Sequence, residues 1–403
     1  MGVSQSKKNF FWNLIGTGLN CITTFVLIVL ITRINGVDTS GVFSVCLSLS
    51  LIMFSFSNLG TRVYEVSDLK RDDNIYFALK AFTGILTIAI GMLICVLMKY
   101  GRIKTTIIFM LLLVRVIESY SDSVYAVFQK NERLDLAGIS YSVKTVFSIT
   151  VFLIVDIITK NVLFATAFFF LAVFATFLAF DIPLLYRYKK ISFKTNGVIS
   201  LTKDISFFVI FNLIVIVIAN IPRLMADTVF SAAQMGYLSI IMMIPTVMSL
   251  MGQFIIQPSL TAFVNDRKNK NYTSFKKRTI SIIAIIILLT VVFCAATYFL
   301  GPPVLSIVMG IDLSKYAFVM TIAIIAGSFV ILTTFISTLL TVMEKTRIQL
   351  VLYAVSLIVE FLAIYLSLGK EDIFYLFLSF LFSMAIQFFL FLMYYILSIK
   401  KEQ

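Results

Sequence analysis

Within residues 111–128, LLLVRVIESYSDSVYAVF, three ionisable side chains (Arg115, Glu118 and Asp122) interrupt an otherwise apolar run. A charge at the centre of a bilayer costs about 2.5–3.5 kcal/mol on insertion scales. Such residues persist where they face protein, a partner or a hydrated cavity. At about 100° per residue, Arg115, Glu118, Ser119, Asp122 and Gln129 fall within about 100° of one helical face, opposite Leu113, Ile117 and Val124. The spacing predicts a helix with one polar and one lipid-compatible face. An arginine fork on that face suits a phosphate or carboxylate. The same three charges also allow a simple Arg115–Glu118 pair that glues helices.

Two other segments repeat the pattern with fewer charges. In KNFFWNLIGTGLNCITTFVLIVLITRING, Asn13, Thr17, Asn20 and Thr24 share a strip that ends at Arg33. In FFVIFNLIVIVIANIPRLMAD, Asn212, Asn220, Arg223 and Asp227 lie within about 80°, with Pro222 just before the arginine. Two asparagine-bearing strips that each end in an arginine suggest an internal repeat. Pro245 and Pro258, with Gln253 and Gln257 between them, mark a segment open to bending. Lys144, Asp181 and Glu360 stand alone in apolar runs and are expected to face the interior. Arg62 and Lys80 are expected to snorkel to the inner interface.

The elements that must position these groups are set by composition. Of 403 residues 60% are hydrophobic and 13% charged, whereas a water-soluble chain carries about 25% charged residues. The chain is a polytopic membrane protein. With about 20 apolar residues needed per crossing, twelve helices are expected, near 9–34, 40–63, 75–99, 103–127, 136–159, 161–186, 205–227, 233–261, 279–300, 315–341, 347–368 and 373–398. The first run is too long for a cleaved signal and is expected to stay as a helix. The polar stretch YRYKKISFKTNGVISLTKD divides the chain into a first half (1–186), a basic linker (187–204) and a second half (205–403). With both termini inside, 21 of the 33 basic residues fall in inside segments and 8 outside, which agrees with the positive-inside rule. The net charge of +13 is a topology signal of this kind and calls for no nucleic acid.

Histidine is absent, which removes the commonest general base and metal ligand. The four cysteines sit singly in apolar runs, and no phosphate-binding GxxxxGK[ST] loop occurs. No catalytic or metal site is expected.

The modules KNFFWNLIGTGLN, LITRINGVDTSGVFSV and FSNLGTR, with DTVFSAAQMGYLSIIMMIPTV and IIQPSLTAF in the second half, resemble the polysaccharide (O-antigen, Wzx-type) flippases of the multidrug/oligosaccharidyl-lipid/polysaccharide exporter superfamily. The resemblance implies an all-α protein of about twelve membrane helices in two six-helix lobes, like the multidrug and toxin exporters. It implies alternating access in the cytoplasmic membrane of a bacterium, both termini cytoplasmic. The cargo would be a polyprenyl-diphosphate-linked oligosaccharide of O-antigen or capsule, with membrane lipids, a polysaccharide polymerase and a chain-length regulator as partners. Arg115, Arg33, Arg223 and Lys144 then become cationic stations for the diphosphate. Asn13, Asn20, Asn212 and Gln253 become sugar contacts. Glu118, Asp122, Asp227 and Glu360 become carriers of a coupling H⁺ or Na⁺, with no other cofactor. The alternatives are a multidrug antiporter of the same superfamily and a membrane enzyme of polysaccharide assembly.

Overall fold

The computed structural model describes residues 3–68, 70–192 and 195–402, and every long element in them is helical. Contacts divide the chain into two compact units, Met1–Asn220 and Ile221–Gln403. Among the described residues, eleven helices are long and apolar enough to cross a membrane. The segment bearing Arg115, Glu118 and Asp122 is outside that set, yet it forms a helix of 29 residues, about 43 Å long.

The first unit contains α1 (Val3–Asn35), α2 (Val37–Asn58), the short α3 (Arg62–Ser67), α4 (Asp73–Leu97), α5 (Arg102–Lys130) and α6 (Leu134–Thr159). They are followed by α7 (Val162–Thr176), a π-helical turn (Phe177–Asp181), α8 (Ile182–Tyr186) and most of α9 (Val198–Ala226). The π turn has a local cause. Pro183 has no N–H to give the carbonyl of Ala179, so the chain widens just before it. The segment expected as a polar linker is docked. Lys189 meets Asp72 at 2.8 Å, Ser192 donates its N–H to Asn74, and Leu201 and Ile205 pack on Leu59, Tyr76 and Leu79.

The helix α5 is the hub of this unit and packs on α2, α3, α4, α6 and α7. This corrects one expectation. Its face opposite the charges does not meet lipid, because Ile117 and Val124 are buried with Leu111, Leu112 and Val114. An apolar face serves a protein neighbour and a lipid equally well, so periodicity alone could not separate them. The closest pairing is α1 on α6, where Gly16 faces Gly138. A Cβ on Gly138 would lie 2.2 Å from the Trp12 carbonyl oxygen. Gly138→Ala should therefore prise α1 from α6 at about 1–3 kcal/mol, read as a lower unfolding temperature of the purified protein.

The second unit runs through α10 (Ala232–Ile241), α11 (Met243–Lys268), α12 (Tyr272–Met309), α13 (Ala317–Val342), α14 (Thr346–Leu368) and α15 (Ile373–Glu402). The span expected at 233–261 breaks at Met242, just before Pro245, and Pro258 lies inside α11. The one expected at 279–300 is longer, 38 residues with Pro302 and Pro303 inside. Here α13 is the hub, packed on α11, α12 and α15. Counted from α9 it is the fourth long helix of its half, as α5 is of the first. The parallel supports an internal repeat better than the asparagine strips do.

Candidate functional site

The polar face of α5 is the spine of a seam inside the first unit. Arg115 Nη1 lies 2.6 Å from Glu118 Oε2, while its Nε reaches Ser50 Oγ at 3.4 Å and its guanidinium sits 5.8 Å from the Phe54 ring centre. A turn on, Ser119 donates to the carbonyl of Ser57 at 2.7 Å. Asp122 meets Arg62 Nη1 at 3.4 Å, and Ser123 donates to Glu65 Oε2 at 3.0 Å. Small hydroxylated residues on α2 let α5 approach, and they also accept or satisfy its polar groups.

A second cluster joins α5 to α6 and the π turn. Lys144 Nζ lies 2.7 Å from Asp181 Oδ2, and it also donates to Ser121 Oγ at 2.5 Å and Tyr125 Oη at 3.1 Å. Ser121 in turn donates to Asp181 at 2.8 Å, and Ser140 donates to its other oxygen. Asp181 is 0% exposed and all its charge is answered by Lys144 and two hydroxyls. The π turn is what presents it to α5.

Asn20, Glu118 and Lys144 line one small cavity of about 20 Å³, together with Ser121, Tyr141 and Thr145. That is room for about one water. The structure thus brings together five of the expected site residues (Asn20, Arg115, Glu118, Asp122 and Lys144) along one seam. Asn13 lies next to the α1–α6 contact, Arg33 is exposed at the end of α1, and Asn212 sits against Gly60. In the second unit, Arg223 has a buried Nε without a hydrogen-bond partner among the described residues. Asp227 closes α9, its N–H donating to the Arg223 carbonyl. Glu360 on α14 is fully buried, and neither carboxyl oxygen has a hydrogen-bond partner among the described residues. The Gln253 side chain lies outside the described residues.

Two basic residues depart from expectation. Lys80 does not snorkel. It is 1% exposed and donates to the Asn58 side chain at 2.8 Å and to the Asn58 carbonyl at the end of α2. Arg62 turns to Asp122 rather than to the interface. Glu65, in the run RVYEV, escaped sequence reading altogether, although a carboxylate between Tyr64 and Val66, three residues after an arginine, was the available signal. The seam so assembled holds four bases (Arg62, Lys80, Arg115, Lys144) and four carboxyls (Glu65, Glu118, Asp122, Asp181).

No family model matches the chain. Along 358 residues it is 23% identical to a capsular polysaccharide biosynthesis protein, CapF, of Staphylococcus aureus, over 88% of this chain and 89% of that protein. Among solved structures, the lipid II flippase MurJ in an inward closed conformation superposes with a TM-score of 0.70 at 14% identity, over 100% of this chain and 90% of that one. An inward-facing multidrug resistance transporter of the MATE family superposes with a TM-score of 0.65 at 12% identity, over 96% of this chain and 99% of that one. A transporter from Pyrococcus furiosus gives 0.60 at 11% identity, over 99% of this chain and 96% of that one. The fold is the one that these solved structures share.

Proposed function

We propose that this chain, with the fold of the MOP exporters, is a flippase that turns a polyprenyl-diphosphate-linked oligosaccharide between membrane leaflets by alternating access of two six-helix halves. One observation carries the reading: similarity over 88% of the chain to a capsular polysaccharide biosynthesis protein, in a chain with this fold. The seam gives it a chemical basis. A diphosphate crossing a low-dielectric layer needs fixed cations, and Arg115 offers a planar fork on the hub helix. Glu118 holds that fork at 2.6 Å, so substrate would compete with an internal anion rather than meet a permanently bare charge. Release stays possible for the same reason. A coupling H⁺ or Na⁺ would use the carboxyls of the seam or Glu360, and the protein would work in the cytoplasmic membrane beside a polymerase and a chain-length regulator.

Deleting the gene in its native host should abolish one surface polysaccharide and leave its lipid-linked repeat on the inner leaflet, out of reach of impermeant lectins until the cells are broken. Unchanged surface polysaccharide would sink the reading. The MATE-like structures keep a drug-exporting alternative in view; active extrusion of cationic dyes by proteoliposomes, with surface polysaccharide intact, would favour it.

A further inference from the structure

The short helix α3 joins two spans and buries a carboxyl. Glu65 is 0% exposed. Its Oε2 accepts from Ser123 at 3.0 Å, and its Oε1 has no hydrogen-bond partner among the described residues. The charged groups around it are engaged elsewhere or carry the wrong sign. Arg62, on the same helix, is given to Asp122. From α4, Lys80 faces it but donates to Asn58, Asp73 is held by Lys130 at 2.6 Å, and Tyr76 donates to Asp68 at 2.8 Å. From α5, Asp122 adds a like charge. A buried carboxylate with one hydroxyl donor is an uncompensated ion, whereas the neutral acid leaves only one hydrogen bond unmade.

We propose that Glu65 is a proton-binding site, neutral while α3 is packed on α5 and ionised when α3 lifts and water reaches the carboxyl. Uptake forms one O–H bond, with the proton drawn from bulk water, and raises the charge of the first unit by one. Burial pushes the Glu65 carboxyl up from 4.5 to about 8, against the pull of Lys80 and Ser123 and with help from Asp122 and Asp73. Since the folded value is the higher one, packing of α3 takes up a proton. The stabilisation is complete below pH 4.5 and is lost as pH rises through about 8. With Glu65 neutral, the seam presents four bases to three carboxyls, which favours an anionic guest; this last step alone rests on the function proposed above.

The test needs no substrate. The purified full-length protein in lipid nanodiscs should show an infrared carboxylic-acid C=O component that disappears as pH is raised from about 6 to about 9. Glu65→Gln should lack that component and should show a flatter dependence of unfolding temperature on pH. A Glu65→Gln spectrum that retains the titrating component overturns the site, whatever the protein transports. If Glu65→Gln fails to accumulate, Ser123→Ala decides by the same titration. Loss of the hydroxyl that favours the charged form should move the midpoint upward, and an unmoved midpoint overturns the site.

Discussion

Arg115→Ala should lower the surface polysaccharide of a strain that depends on this chain by about ten- to a hundredfold, while the protein still accumulates in the membrane. The magnitude follows from one charge-assisted contact to a passing anion, about 1.5–3 kcal/mol, at about 1.4 kcal/mol per decade. The side chain is positioned for both roles. Its exposure of 14%, beside 24% for Glu118, leaves the pair within reach of a guest, and the 2.6 Å ion pair equally suits a structural tie. Three further variants separate the roles. Arg115→Lys keeps the charge and loses the fork, so it should remain well below wild type if bidentate recognition matters. Glu118→Gln removes the internal competitor; if Arg115 grips the passing anion, this variant should hold it more tightly and release it more slowly. If the pair is only a tie, both single variants should be thermally weakened alike, and Arg115→Leu/Glu118→Leu should recover stability and polysaccharide together. Normal polysaccharide in Arg115→Ala would take this residue off the transport path.

What the chain's letters made legible was periodic and local. The spacing of Arg115, Glu118, Ser119 and Asp122 on one face is a property of any α-helix, and the structure has all four on the seam. The long apolar runs marked the spans because a bilayer imposes their length. What was hidden depends on contacts between elements far apart in sequence. Lys144 and Asp181 are 37 residues apart, and their meeting requires a π turn whose only visible sign was Pro183. Lys80 looked like a snorkelling lysine because its partner is in part a main-chain carbonyl, that of Asn58 at the end of α2, and a carbonyl has no letter of its own. The hub role of α5 was not legible for a related reason. Its leucines and isoleucines pack on helices with the same chemistry they would show to lipid tails. In the second unit, Glu360 was legible as an intramembrane carboxyl, but not that neither of its oxygens would find a hydrogen-bond partner among the described residues.

Lys144→Met should be the most destabilising single change in the first unit, with Asp181→Asn close behind. Removing the lysine strands a carboxylate at 0% exposure; breaking a buried pair in this way costs about 3–5 kcal/mol. Asp181→Asn leaves the ammonium with neutral acceptors alone, an amide oxygen and the hydroxyls of Ser121 and Tyr125, so its cost has the same origin. The two changes share one interaction and cannot add. Lys144→Met/Asp181→Leu should therefore recover most of the lost stability, short of wild type because Ser121 and Ser140 lose their common acceptor. Unfolding temperatures of the wild type, Lys144→Met, Asp181→Leu and the double variant give the cycle directly; additive losses would show that the pair is not a unit. The same double variant then separates structure from transport. Lys144 lines the small cavity beside Glu118, and if it serves as a station for the diphosphate, the double variant will be stable in the membrane and still export no polysaccharide. If the pair only fastens the π turn to α5, export should return with the fold.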